Sequence, residues 1–449
     1  MSVFVAATTG TGGSVDTGAT AWVIVATALV MLMTPGVAFF YSGMVRAKHV
    51  LGMLMQGLMA MAAVSLVWLL VGYSLAFGAG NGLVGDLRFA GLTNMDEPVP
   101  GFTGADALVI PPLLFAAFQM MFAVITPALV TGATADRWRF RSFTLFVVVW
   151  TVLVYAPVAH WVFSPDGWAA RLGVRDFAGG LVVHVNAGAA GLAMALVLGR
   201  RTGWLREPMR PHNLPIVLLG ASLLWFGWFG FNGGSALRAD GVAVTAIVNT
   251  HVAACAALAA WVGVERLRYG KSTTLGAASG AVAGLVAITP AAGYVTPLSA
   301  TVVGLLAGVV CAFAVSLKLW FRLDDSLDVV GVHLVGGALG SLAVGVLATE
   351  SVSTHAGNGL FYGGGYDLLL AQAAGLVVVT TYSFAATYGI GRVIDRFVGN
   401  RVPVGQERKG LDLAVHGESA YDLDSTTTTS AAPAGAGNDR NGGPVHVSS

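Results

Sequence analysis

Apolar stretches long enough to cross a bilayer recur along almost the whole chain. Eleven can be delimited, at 19–44, 50–78, 107–133, 142–163, 178–199, 214–236, 241–264, 274–292, 297–317, 329–349 and 366–391. A helix rises about 1.5 Å per residue, so about 20 such residues cross a hydrocarbon core about 30 Å thick. Inside that core each backbone N–H and C=O must find its partner within the protein, and segments of this length and uniform apolarity do so as helices. The sequence therefore predicts an all-α integral membrane protein with eleven transmembrane helices over residues 19–396. Composition agrees. Of 449 residues, 55% are hydrophobic and 10% charged, whereas soluble domains carry roughly 25% charged residues. Sixty glycines suit close helix packing in lipid.

The net charge of +1 says little, but its distribution is informative. Basic residues fall in alternate loops: Arg46 and Lys48, Arg137 to Arg141, Arg200 to Arg210, Arg266 to Lys271, Lys318 and Arg322, and Arg392 to Lys409. The other side carries only Arg88, Arg171, Arg175 and Arg238. The positive-inside rule then puts the N-terminus outside and the C-terminus in the cytoplasm, as an odd number of spans requires. Residues 1–18 lack the basic n-region, apolar stretch and cleavage site of a signal peptide and are read as an extracytoplasmic tail. Cys255 and Cys311 both fall in apolar spans, which argues against a disulfide framework or a Cys-based metal site. No metal, cofactor or nucleic-acid partner is expected.

Two histidines inside apolar segments lie in local patterns that echo each other. Val-Val-His184 follows Asp176 in the fifth span, and Val-His333 follows Asp328 in the tenth. Ionisable groups at membrane depth are costly, and a pair in corresponding positions suggests one shared pathway. A second echo has the same interval: Ile125-Thr126-Pro127-Ala128 in the third span and Ile288-Thr289-Pro290-Ala291 in the eighth. An interval of five spans inverts the second copy, so spans 1–5 and 6–10 are predicted to be inverted repeats meeting near the midplane, with the eleventh helix added. Counting depth at 1.5 Å per residue puts His184 roughly 10 Å and His333 roughly 6 Å inside opposite faces. By that count the two do not touch unless the start of the tenth helix, with Asp325 and Asp328, dips into the membrane.

Several motifs closely resemble the ammonium transporter (Amt/MEP/Rh) family. They are Phe118-Gln119 with Phe122-Ala123, Asp176-Phe-Ala-Gly-Gly with His184, Gly227-Trp-Phe-Gly-Phe-Asn-Gly-Gly-Ser235, Ser279-Gly280, Asp324-Asp325 through Asp328 to His333, and Gly410-Leu-Asp with His416-Gly-Glu. They run in order from Thr34 to Tyr421 and are similar to the Amt branch. The resemblance implies an eleven-span homotrimer with one pore per subunit, and a trimeric PII signalling protein docking at the cytoplasmic face. It makes Phe122 and Phe231 a stacked aromatic gate, His184 and His333 the pore imidazoles, and Ser235 a hydroxyl offered to the ion in the vestibule. Phe118 would belong with Phe122 and Phe231 to the aromatic gate and vestibule, Gln119 would support it, Trp228 would line the pore near Asp176, and Ser279 would belong to the substrate path. One position departs: where the family usually has a vestibule tryptophan, His160-Trp161-Val162-Phe163 places Phe163. Trp holds cations over its face better than Phe does, so either the outer site is weaker or Trp161 or Trp168 substitutes.

Blander roles stand beside these. Asp176 and Asp328 precede helices, where Asp commonly caps free N–H groups, and Ser235 can bond back to the preceding turn. The chemistry nevertheless favours ammonium. A dehydrated cation needs charges or carbonyl dipoles in place of water, and no carboxylate lies at mid-depth. Ammonium, unlike potassium, can shed a proton to imidazole and cross as ammonia. Other classes fit less well. An intramembrane hydrolase needs a nucleophile or metal cluster, and a sodium-coupled carrier needs carboxylate-assisted ion sites. The serious alternative is an ammonium sensor acting through PII-type docking. Residues 397–424 are read as a cytoplasmic regulatory tail able to dock beneath the membrane domain. Residues 425–449 are read as a disordered low-complexity tail.

Overall fold

A computed structural model of the chain describes residues 15–104 and 107–421. The predicted disordered tail, residues 1–14 and residues 422–424 lie outside the described residues. The chain is a bundle of apolar helices: α1 Thr17–Met44, α2 Ala47–Phe77, α3 Pro112–Thr134, α4 Phe140–Leu172, α5 Gly180–Leu198, α6 Leu214–Gly234, α7 Gly241–Tyr269, α8 Thr274–Ile288, α9 Pro297–Trp320, α10 Val330–Leu347 and α11 Asp367–Phe397. Among the described residues ten of these are long and apolar enough to cross a membrane. The protein is thus a multi-pass membrane protein. The eighth, predicted over 274–292, is shorter: it stops at Ile288 and gives way to turns, although the same Ile-Thr-Pro-Ala sequence at 125–128 stays inside α3. Its 15 residues reach only about 22 Å.

Local signals explain most helix ends. Asp16 accepts the Ala19 N–H at 2.5 Å and starts α1, Asp240 accepts Val242 and Ala243 and starts α7, and Gly270 in left-handed backbone ends α7. The α4 helix is interrupted at 164–167, where Pro165 follows Ser164, and resumes at Trp168. The described strands form one antiparallel hairpin after α2, β1 Gly80–Asn81 with β2 Val84–Gly85. Packing is close enough to exclude side chains in places. A Cβ on Gly220 of α6 would lie 2.2 Å from the Phe40 nitrogen of α1, so these two helices meet backbone to backbone.

The face bearing the basic loops is held by buried ions. Arg201 grips Asp324 at 2.8 Å and lies 3.6 Å from Asp136, which also meets Arg46 at 3.3 Å. Arg201 and Arg46 hold Asp136 in left-handed backbone at φ 72°. Arg137, fully buried, donates to the carbonyls of Gly199 and Asp324 and to the Ser326 hydroxyl, joining three interhelical loops. Burial pulls its guanidinium down to about 10. Residues 401–421 run beneath this face. Glu407, in the short helix α12 Val404–Lys409, accepts from the Thr202 amide at 2.5 Å and from Arg401 at 2.8 Å. Asp412 accepts the Gly52 N–H at 2.9 Å, and Tyr421 meets His212 at 2.8 Å.

Candidate pore and its mouth

The two histidines are delivered by matching helix starts. Asp176 accepts from the amides of Gly179, Gly180, Leu181 and Val182 at 2.6 to 3.2 Å, so its carboxylate closes the open end of α5. The first turn, Gly180–Val185, is a wide π-helical turn that carries His184. In α10 the capping residue is Asp325, which accepts from Val329 at 3.1 Å and Val330 at 2.8 Å, and the π-helical turn Val330–Leu334 carries His333. Each cap lies eight residues before its histidine. Asp328 is therefore not the cap expected from sequence. It adopts φ 65° and pairs with Lys318 at 2.6 Å. Burial and the neighbouring Asp328 push the Asp325 carboxyl up from its ordinary value.

His184 and His333 are in contact, with Nδ1 atoms 3.3 Å apart and rings stacked at 5.4 Å and 22°. Depth counting assumed that each helix starts at a membrane face. Instead the segments before them are inside the protein: Asp324 and Asp325 are each 2% exposed and Asp176 8%. Irregular backbone at that depth is tolerated because protein surrounds it. Glycines allow the crossing. A Cβ on Gly188, one turn beyond His184, would lie 2.5 Å from the Leu334 nitrogen, and one on Gly337 would lie 3.1 Å from His184 Cβ.

Aromatic rings stack up from this pair toward the face opposite the basic loops. Trp228 lies on His184 with centroids 5.4 Å apart, and its indole N–H donates to Thr289 Oγ1 at 2.8 Å, so the Ile-Thr-Pro-Ala echo supplies the support for this ring. Phe231 sits 6.0 Å from His184 and stacks on Phe122 at 4.3 Å and 28°. On the histidine side of these rings a narrow void of about 10 Å³ is lined by Met33, Val37, Ile125, Leu129, Leu224 and Val282 around the imidazoles. It admits about one water-sized molecule. His184 Nε2 has no protein partner there. None of these aliphatic residues was singled out by sequence reasoning, since an apolar lining looks like any other core.

On the other side of Phe122 a cavity of about 700 Å³ opens. Phe163 meets Phe122 edge-on at 6.5 Å, Ser235 and Asp176 line the wall, and the buried Gln119 Oε1 lacks a protein partner. The Ser235 hydroxyl donates to the Phe231 carbonyl at 2.8 Å, the bland role, while its lone pairs remain on the cavity wall. Tyr294, Arg175, Arg238, Asp240 and Glu350 also line this mouth and were not read from the sequence as site residues. Three expectations need correction. Phe118 packs behind Phe122 at 5.0 Å and is fully buried, lining neither space. Ser279 is half-buried on α8 one turn before Val282 and also lines neither. Trp161 and Trp168 lie against each other at 5.9 Å, with the Trp161 N–H on the Leu83 carbonyl; the mouth aromatic is Phe163.

A helical membrane bundle with a wide polar mouth, a stacked aromatic closure and a narrow apolar lumen is a channel or transporter. The family model of the Ammonium Transporter Family matches residues 21–421, and the chain belongs to that family. It is 50% identical over 438 residues to an "Ammonium transporter" of Mycobacterium tuberculosis, covering 92% of this chain and 91% of that one. Among solved structures it is similar to Saccharomyces cerevisiae Mep2, with a TM-score of 0.80, 37% identity and coverage of 88% and 89%. A "Sensor Amt Protein" gives the same TM-score at 29% identity, covering 89% of this chain and 98% of that one.

Proposed function

We propose that the protein carries ammonium nitrogen across the cytoplasmic membrane by gathering the cation in the mouth, removing a proton near the aromatic closure, and passing ammonia through the lumen. The observation that carries this reading is the lumen itself, in which two contacting imidazoles are the polar groups in an otherwise apolar lining. A dehydrated potassium ion gains nothing there to replace its water. Ammonia crosses at little cost, and the displaced proton has an imidazole to receive it. Nδ1 atoms 3.3 Å apart require one nitrogen to donate and the other to accept, so the pair holds opposite tautomers. A proton that enters at the free Nε2 of one ring while another shifts between the Nδ1 atoms and a third leaves the Nε2 of the other ring interchanges the tautomers, so the original pair must be restored before a second proton follows in the same direction. In the mouth, the faces of Phe122 and Phe163, the Ser235 oxygen and the Gln119 carbonyl are of the right kind to attract a cation.

The same reading takes the bundle as eleven crossings in two inverted five-helix repeats, with α8 the shortest. It is supported by the paired caps, π turns and histidines of α5 and α10. It takes the assembly as a homotrimer in lipid, the N-terminus as outside and the basic face as cytoplasmic. Uptake of labelled ammonium by liposomes holding purified protein tests the transport claim. Saturable uptake absent from empty liposomes is expected, and its absence would remove the claim.

A sensor role is the second reading, favoured by the likeness to the "Sensor Amt Protein" and by the tail packed across the start of α2 at 46–52 and the loop at 200–212. A cytoplasmic PII-family protein is the partner proposed for that surface. Deleting residues 411–449 should leave uptake intact and weaken its inhibition by PII. Deleting only 425–449 should change neither.

A further inference from the structure

The eleventh helix stands outside the five-helix echo, yet it carries a side chain that joins the two histidine helices. Gln372, in the second turn of α11, is fully buried and lines neither the lumen nor the mouth. Its Oε1 accepts the Arg175 N–H at 2.7 Å, and its Nε2 donates to the Arg175 carbonyl at 2.8 Å and to the Ser341 carbonyl of α10 at 2.9 Å. One orientation of the amide meets all three groups, with the oxygen facing the N–H and the NH₂ facing the two carbonyls. Glycines let α11 reach this place. A Cβ on Gly345 of α10 would lie 2.5 Å from Leu369 Cα, and one on Gly375 would lie 3.0 Å from the Val174 side chain.

We infer that Gln372 is a positioning residue for transport: it holds the Asp176 cap, and through that cap His184, at the height where the ring meets His333. The inference rests on the proposed role of the paired imidazoles. Arg175 immediately precedes Asp176, whose carboxylate fixes the first turn of α5. On the other flank the Phe177 N–H meets the Pro290 carbonyl at 3.1 Å, so the cap is held from both sides. Ser341 lies one turn beyond Gly337, the glycine set against His184 Cβ, on the helix that carries His333. One amide therefore ties the chain before the first histidine to the helix of the second. The approach to α10 is gripped in the same way with different chemistry. There the residue before the cap is Asp324, and its carbonyl accepts from the buried Arg137 guanidinium at 2.7 Å. Each buried approach to a histidine helix is thus held by one multidentate side chain from elsewhere in the chain. Without Gln372 the α5 approach loses its link to α10, and the two rings lose their fixed register.

Hydrogen exchange and uptake test this together. In wild-type protein the Arg175 amide, although its residue lines the mouth, should exchange with deuterium about 100-fold more slowly than an unprotected amide. Free exchange there would overturn the grip whether or not any variant folds. In Gln372→Leu the amides of Gly179 to Val182 should exchange about tenfold faster than in wild type, because their cap is loosened; unchanged protection would overturn the proposal. In liposomes the same variant should lower the maximal rate of ammonium uptake per folded protein about tenfold while moving half-saturation less than about twofold, since Phe122, Phe163 and Ser235 hang from other helices. Gln372→Glu, which offers at most one hydrogen to the two carbonyls, should lose about threefold. Thr387→Val removes the acceptor of the Trp150 N–H on the same helix and should keep the wild-type rate. Equal losses in Gln372→Leu and Thr387→Val, or a raised half-saturation at an unchanged maximal rate, would overturn the positioning role. Wild-type protein without saturable uptake would strike at the transport reading instead, and the exchange results would still decide the grip.

Discussion

The mouth and the lumen are separated by two phenyl rings stacked 4.3 Å apart, yet they are built on opposite rules. The mouth is wide, about 700 Å³, and its lining includes three carboxylates, two guanidinium groups, hydroxyls, an amide oxygen and aromatic rings. The lumen is about 10 Å³ and offers aliphatic side chains and two imidazoles. A hydrated cation is at home in the first and has no substitute for its water in the second. On the proposed reading, the difference teaches that selection lies in the passage between them, where a cation must lose its charge to continue.

The largest effect should come from removing the lumen's polar groups. Replacing both His184 and His333 by Ala should cut saturable ammonium uptake by about 100-fold or more, the scale of a lost proton-transfer group. Wild-type uptake in the double variant would end the proposed role of the pair. Asp176 borders the mouth and also sets the lumen, because its carboxylate caps the turn that presents His184. Asp176→Ala leaves four buried N–H groups unmet and should cost on the order of 3 kcal/mol, read as lower thermal stability of the purified protein. Asp176→Asn, which still accepts through one oxygen, should lose less. The smallest effect belongs to the mouth alone: Phe163→Trp should lower half-saturation roughly two- to fivefold through a better cation–π face. An unchanged half-saturation would place the capture site away from Phe163.

The mouth and lumen were unequally legible in the sequence. Rings and histidines stand out because aromatic motifs and ionisable residues are conspicuous in apolar runs, and runs such as 214–236 and 241–264 lie close to Leu214–Gly234 and Gly241–Tyr269. Contact between His184 and His333 could not be counted out from sequence, because it depends on buried chain before each helix and on two glycines that allow close crossing. The true partner of Asp176 was also obscured. Asp328 stood nearer to a histidine in an apolar run, whereas Asp325 shares the eight-residue spacing and makes the cap. The Arg46, Asp136, Arg201 and Asp324 cluster was illegible for a simpler reason: its members lie in loops far apart in the chain, each readable only as a solvated charge.

Potassium decides the central claim. In liposomes under an imposed gradient, wild-type protein should move ammonium nitrogen while carrying no measurable potassium current. Substituting His184 by Glu supplies a lumen carboxylate; where that side chain ionises, a dehydrated cation gains the counter-charge that the native lining lacks, and a potassium current should appear. Wild-type protein that passes potassium comparably to ammonium would contradict passage by deprotonation.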